Sequence, residues 1–170
     1  MLFVVSDTNI PSSLAAGNAL SSLSVLFPDT AIYIPPTVYQ ELQIGLERGK
    51  THLNLVLEWI AIHQISILEL LETEQQMIES LPNKLNRGER EAIVLAKNRQ
   101  GLLLCNDKRA VRYCQQQGIE NIDLPYLLRL FWTRQILTRT QVEQLIEKMA
   151  QIENLVLKQT VLDKIFFQQA

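Results

Sequence analysis

No apolar stretch of this chain approaches the ~18 uninterrupted residues that a membrane-spanning helix requires, and that absence excludes an integral helical membrane protein. Cysteine is scarce. Cys105 and Cys114 form no CxxC pair, which excludes a disulfide-stapled framework and a cysteine zinc site, and leaves buried free thiols as the expectation. His52 and His63 lie on polar or mixed helix faces without a matched partner, so no histidine chemistry is expected. Ser12, Ser13 and Gly17 loosely suggest a phosphate loop, but the GxxxxGK[ST] pattern is missing. Phosphoryl transfer through an Asp-x-Asp pair is excluded as well, because Asp7-Thr8-Asn9 lacks the second acid. Repeats and low-complexity segments are absent. No basic region precedes the short apolar run Leu2–Val5, so a cleaved leader is not expected and a cytoplasmic location is.

What remains is a chain of 170 residues, 47% hydrophobic and 20% charged, with a net charge of −2. A chain of this length buries roughly two-thirds of its surface in one core, so residues 1–170 read as one domain. The charge is uneven. Between Lys84 and Arg112 stand eight basic residues against Glu89, Glu91 and Asp107, a band that faces either solvent or a phosphate backbone.

Local patterns predict alternating strands and helices. Leu2–Ser6 and Ala31–Ile34 read as short buried strands, and Pro36 suits the first turn of a helix running to about Leu46. A helix over Leu53–Ile62, a strand from Ile65 and a helix over Glu74–Leu81 follow. Next come a helix over Gly88–Asn98, a strand over Leu102–Cys105, a helix opened by Asp107 and ended by a left-handed Gly118, and a strand over Ile119–Ile122. This alternation indicates an α/β sandwich with a mainly parallel sheet over residues 1–124. Residues 125–170 read as a helical appendix packed on it, with helices at Tyr126–Trp132, Thr140–Ala150 and Leu155–Phe167.

Four acids share a place in this arrangement. Asp7 and Asp107 each follow the carboxyl end of a strand, and Glu41 and Glu89 lie in early turns of helices, so all four can meet at the crevice of an open sheet. Helical phase places Glu89 within about 40° of the stripe formed by Ala92, Ile93 and Ala96, facing inward, and Glu91 about 120° away on the outer flank. Glu41 shares a face with Val38, Leu42 and Gly45. Ionised acids gathered at one dry edge repel unless a cation neutralises them, and oxygen-only ligation suits Mg²⁺ or Mn²⁺.

The segments VVSDTN (Val4–Asn9), PPTVYQEL (Pro35–Leu42), GEREAIVLA (Gly88–Ala96) and LLLCNDKRA (Leu102–Ala110), in this order, resemble the four motifs of PIN-domain proteins. The resemblance covers about residues 2–125 and is nearest to the prokaryotic toxin-type subgroup whose third motif opens with Gly-Glu. It implies a three-layer PIN-like sandwich and a Mg²⁺- or Mn²⁺-dependent ribonuclease with Asp7, Glu41, Glu89 and Asp107 as catalytic acids. Asp7, Glu89 and Asp107 would hold the metal, with Thr8, Asn9, Glu91 and Asn106 as accessory groups. Asn106 stands where the subgroup often has a further acid. Arg87, Arg90, Lys108 and Arg109 flank the acids and are the expected phosphate contacts. RNA is the implied substrate, a small antitoxin protein an implied partner, and a homodimer through the apolar segment Tyr126–Ile136 a further implication. The alternative is a non-catalytic PIN-like module that binds RNA or protein through a weakened metal site.

Overall fold

Alternation along the strands decides how the layers form. In the computed structural model, which describes residues 3–167, Val4 packs into one apolar cluster and its neighbour Val5 into another. Likewise Leu102 and Leu104 enter the first cluster while Leu103 and Cys105 enter the second. Successive side chains on a strand point to opposite faces, so strands buried on both sides carry unbroken apolar runs. Three layers result.

The strands are β1 (Val4–Ser6), β2 (Ile32–Ile34), β3 (Ile65–Ile67), β4 (Leu102–Leu104) and β5 (Asn121–Ile122), all parallel in the order β3-β2-β1-β4-β5. The expectation for the first strand included Leu2, which lies outside the described residues. On one face pack α1 (Asn9–Ala16), α2 (Ser22–Leu26), α3 (Pro36–Glu47) and α4 (Leu53–Ala61). The other face is covered by α5 (Glu72–Ile78), α6 (Arg87–Asn98) and α7 (Lys108–Gln117). Gly118 ends α7 with φ 67°, the left-handed cap that the sequence predicts.

The last three helices are α8 (Leu124–Thr133), α9 (Arg139–Glu153) and α10 (Gln159–Phe166). Leu127, Leu128, Phe131, Val142 and Ile165 enter the same cluster as Val4 and Ile34. Burying each such side chain contributes about 1.5–3 kcal/mol. Trp132 donates its indole N–H to the Ile165 carbonyl at 2.8 Å, so much of the Tyr126–Ile136 segment is spent on internal helix packing.

The pattern carried no expectation for α1. All of its residues from Ile10 to Ala16 are buried, so no polar face exists to generate a 3.6-residue period. Only the finished layer makes that stretch a helix, and its start lies against the carboxyl end of β1.

Candidate active site

Topology places the crevice. β1 pairs with β2 on one side and β4 on the other, so the chain reverses its winding direction between β1 and β4. Groups beyond the carboxyl ends of these two strands meet at that switch point. Asp7 follows β1, and Asn106 and Asp107 follow β4.

Asp7 lies at the floor of the crevice and is only 2% exposed. Its Oδ1 accepts from the backbone N–H groups of Asn9 (2.9 Å) and Ile10 (3.1 Å) at the start of α1. Oδ2 accepts from the Asn106 backbone N–H at 3.2 Å, and the Asn9 side-chain amide approaches at 3.5 Å. Burial nonetheless outweighs these bonds and one from the Cys105 thiol, and raises the carboxyl above its ordinary value. Cys105 is itself pushed far up, by burial and by the adjacent Asp7 charge, and is an inert thiol.

Glu41 and Glu89 come from helices that touch. Glu41 sits in the second turn of α3, and its carboxylate accepts a short hydrogen bond from the Thr8 hydroxyl. Gly88 opens α6 against it. A Cβ at position 88 would stand 3.1 Å from both Glu41 Oε1 and Val38 Cγ2, so the glycine permits the close approach that sets Glu41 beside Glu89. Asn86 caps α6 by accepting from the Glu89 N–H at 2.8 Å, while Glu89 Oε2 accepts from the Asn86 N–H at 2.9 Å. Asp7, Thr8, Asn9, Glu41, Asn86 and Glu89 line one cleft of about 400 Å³.

Burial raises the Glu89 carboxyl above its usual range, and the charges of Asp107, Asp7 and Glu41 add to it against the Asn86 hydrogen bond. Asp7, Glu41 and Glu89 share the cleft, whereas Asp107 does not line it and bears on Glu89 through its charge. Asp107 itself caps α7, accepting from the N–H groups of Arg109 (2.8 Å) and Ala110 (3.0 Å). A carboxyl whose value is raised by folding costs stability as pH climbs from the unfolded value through the folded one. Metal-free Glu89→Gln keeps an acceptor for Asn86, so at pH 7 it should melt a few degrees above the parent. The difference should shrink as pH falls towards 4, which thermal melts across that range would check.

The structure revises several expectations. Glu91 does not face outward. It is 4% exposed, accepts from the Thr37 hydroxyl (2.7 Å) and N–H (3.2 Å), and pairs with Arg87 at 2.9 Å. Its outer flank is covered by the start of α3, which no single-helix projection contains. Arg87 is thereby held by Glu91. The Arg90 Nε is buried with no hydrogen-bond partner among the described residues, Lys108 is exposed, and Arg109 reaches the Lys84 carbonyl at 3.4 Å. None of these four lines the cleft; the cations that do are Arg48 and Lys50, after α3. Charge counting missed them because they fall outside the basic band.

His52 also has partners. Its Nε2 lies 3.1 Å from Ser12 Oγ and 3.3 Å from Glu153 Oε1. Ser13 Oγ donates to Glu153 Oε2 at 2.6 Å, and Ser12 Oγ donates to Oε1. One imidazole nitrogen serves both Ser12 and Glu153, so the trio is no Ser-His-acid relay, which requires opposite ring nitrogens. It is a clasp holding the end of α9 to α1. Glu153→Ala removes the acceptor of two part-buried hydroxyls and should cost about 1–3 kcal/mol, read as a fall in denaturation midpoint. The clasp borders a second cavity of about 350 Å³, where Asn106 joins Thr8, Asn9 and Glu41.

The donors are carboxylate oxygens, the set that Mg²⁺ and Mn²⁺ take. Among the described residues no three His, Cys, Asp or Glu side chains form a ready ligand shell.

A parallel α/β sandwich with facing acids at its switch point is the architecture of an acid-lined ligand crevice. The chain belongs to the PIN-domain family: the profile of DUF3368, a PIN domain, matches residues 3–169. PIN domains are generally nucleases and typically bind divalent metals. No curated protein matches the chain. Among solved structures, a domain of a functionally unknown protein from Methanocaldococcus jannaschii is similar at 23% identity and a TM-score of 0.45, covering 73% of this chain and 91% of that one. No helix among the described residues is long and apolar enough to cross a membrane.

Proposed function

We propose that the protein is a Mg²⁺- or Mn²⁺-dependent endoribonuclease that hydrolyses RNA phosphodiester bonds. The observation that carries this reading is the cleft in which Asp7, Glu41 and Glu89 meet from three separate elements, with the charge of Asp107 also bearing on Glu89. Such a cluster serves a cation. Asp7, Glu89 and Asp107 would hold the metal, Asp7 rigidly because four N–H groups surround its oxygens. Glu41, fixed by the Thr8 hydroxyl, would orient the attacking water. The chemistry that a bound Mg²⁺ or Mn²⁺ supplies is charge neutralisation and a water of lowered pKa. The proposal extends, on the motif resemblance to the toxin-type subgroup alone, to a cytoplasmic toxin restrained by a small antitoxin protein and assembled as a homodimer.

A second reading, a non-catalytic module binding RNA or protein, is favoured by two observations. Asn106 adds no charge beside Asp107, and the Asp7 oxygens are already engaged by backbone N–H groups. Incubating the pure protein with mixed RNA, with and without Mn²⁺ and beside Asp7→Asn, separates the two. Cleavage that needs Mn²⁺ and Asp7 supports the enzyme, and its absence supports the module.

A further inference from the structure

We propose that Arg48 and Lys50 hold backbone phosphates of a single RNA strand that runs through a groove past Asp7, Glu41 and Glu89; this rests on the nuclease reading and names its substrate track. The 400 Å³ cleft and the 350 Å³ cavity share Thr8, Asn9, Glu41, Gly45 and Lys50, so they are two stretches of one groove. Lys50 stands where the stretches join, and Arg48 lines the first alone. One wall is the turn between α3 and α4. The other includes Ile152, Asn154 and Leu155, kept in place by the Glu153 clasp.

Charge identifies the occupant. Arg87, Arg99 and Arg139 are each paired with a glutamate, at 2.9, 3.0 and 3.0 Å. The side chains of Arg48 and Lys50 have no ion pair or hydrogen bond among the described residues, although they border a cleft lined by Asp7, Glu41 and Glu89. Cations that line an acidic cleft without bonding its acids are free for a third party, and a phosphodiester strand supplies one. Depth selects single strand over duplex. Asp7 and Glu89, which line the first stretch, are 2% and 8% exposed, so a phosphate must enter that cleft to meet them. Each stretch has the volume of a small-ligand pocket, room for a nucleotide or so rather than a helix.

The test measures binding of a labelled single-stranded RNA to the Glu89→Gln protein in Mg²⁺, where turnover is suppressed, across a salt series. For single strands the slope of log affinity against log salt is about −0.7 per phosphate contact, so adding Arg48→Ala and Lys50→Ala should flatten it by about 1.4. Affinity at low salt should fall about tenfold or more, and a duplex of the same sequence should bind more weakly than the strand. Arg48→Gln with Lys50→Gln should flatten the slope equally, which guards against a folding artefact. Lys108→Ala with Arg109→Ala, outside the groove, should leave the slope unchanged. An unmoved slope in the Arg48/Lys50 pair, a loss confined to the Lys108/Arg109 pair, equal duplex affinity, or no RNA binding by the parent each overturns the track. Cleavage by the wild type is scored separately. A flattened slope without any Mn²⁺-dependent cleavage keeps the track and sinks the nuclease, while cleavage with an unmoved slope does the reverse.

Discussion

Asp7→Asn and Glu89→Gln should each lower Mn²⁺-dependent RNA cleavage by at least about 100-fold, the loss typical when one group stabilising transition-state charge is removed. Each substitution is nearly isosteric and deletes one of the charges that would hold the cation. Glu89→Gln is the cleaner of the two. Its side chain still accepts from the Asn86 N–H, so the start of α6 remains capped. Asp7→Asn keeps an acceptor for Asn9 and Ile10 but turns an amide NH₂ towards the Asn106 N–H, so its melting temperature should be measured alongside. Glu91→Gln provides the contrast. Its carboxylate serves Thr37 and Arg87, so the variant should lose stability while cleavage per folded molecule falls far less. Equal losses at Glu89 and Glu91, in protein shown to be folded, would remove the reason for assigning Glu89 to the site.

Mn²⁺ or Mg²⁺ should raise the melting temperature of the wild type by about 5–10 °C at a hundredfold excess over Kd. A ligand that binds only the folded state adds RT ln(1 + [L]/Kd), about 2.7 kcal/mol at that excess, and about 1 kcal/mol moves a chain of this length by about 2–4 °C. The source is visible in the site, since the charges of Asp107, Asp7 and Glu41 already raise Glu89 and a cation would relieve all four. Asp7→Asn should abolish most of the rise. Glu153→Ala, which loosens the clasp but leaves Asp7, Glu89 and Asp107 in place, should start lower and retain the rise. A wild type that shows neither a shift in millimolar metal nor cleavage of mixed RNA would be the binding module.

Short apolar runs bounded by turn signals located β1, β2 and β4, the inner strands, because burial on both faces demands such runs, while the edge strand β3 was marked by its alternation and β5 by its place after Gly118. The order of alternation implied a parallel sheet, and the left-handed cap at Gly118 was legible because glycine reaches that backbone most readily. The shared cleft of Asp7, Glu41 and Glu89 was legible for the same kind of reason: each is tied to the end of a strand or the early turns of a helix, positions that local pattern marks. Three features were decided by packing alone. A helix buried all round has no period, so α1 was invisible. Glu91 turned inward because α3 covers the flank that an isolated α6 leaves open. His52 met Ser12 and Glu153, and Arg48 and Lys50 came to line the cleft of the acids, across separations that the chain closes only when its layers assemble. Sequence by itself determines what each segment must bury and cap, since those demands are local. Which side chains share a cleft is set by the contacts between layers, and only the tertiary structure contains them.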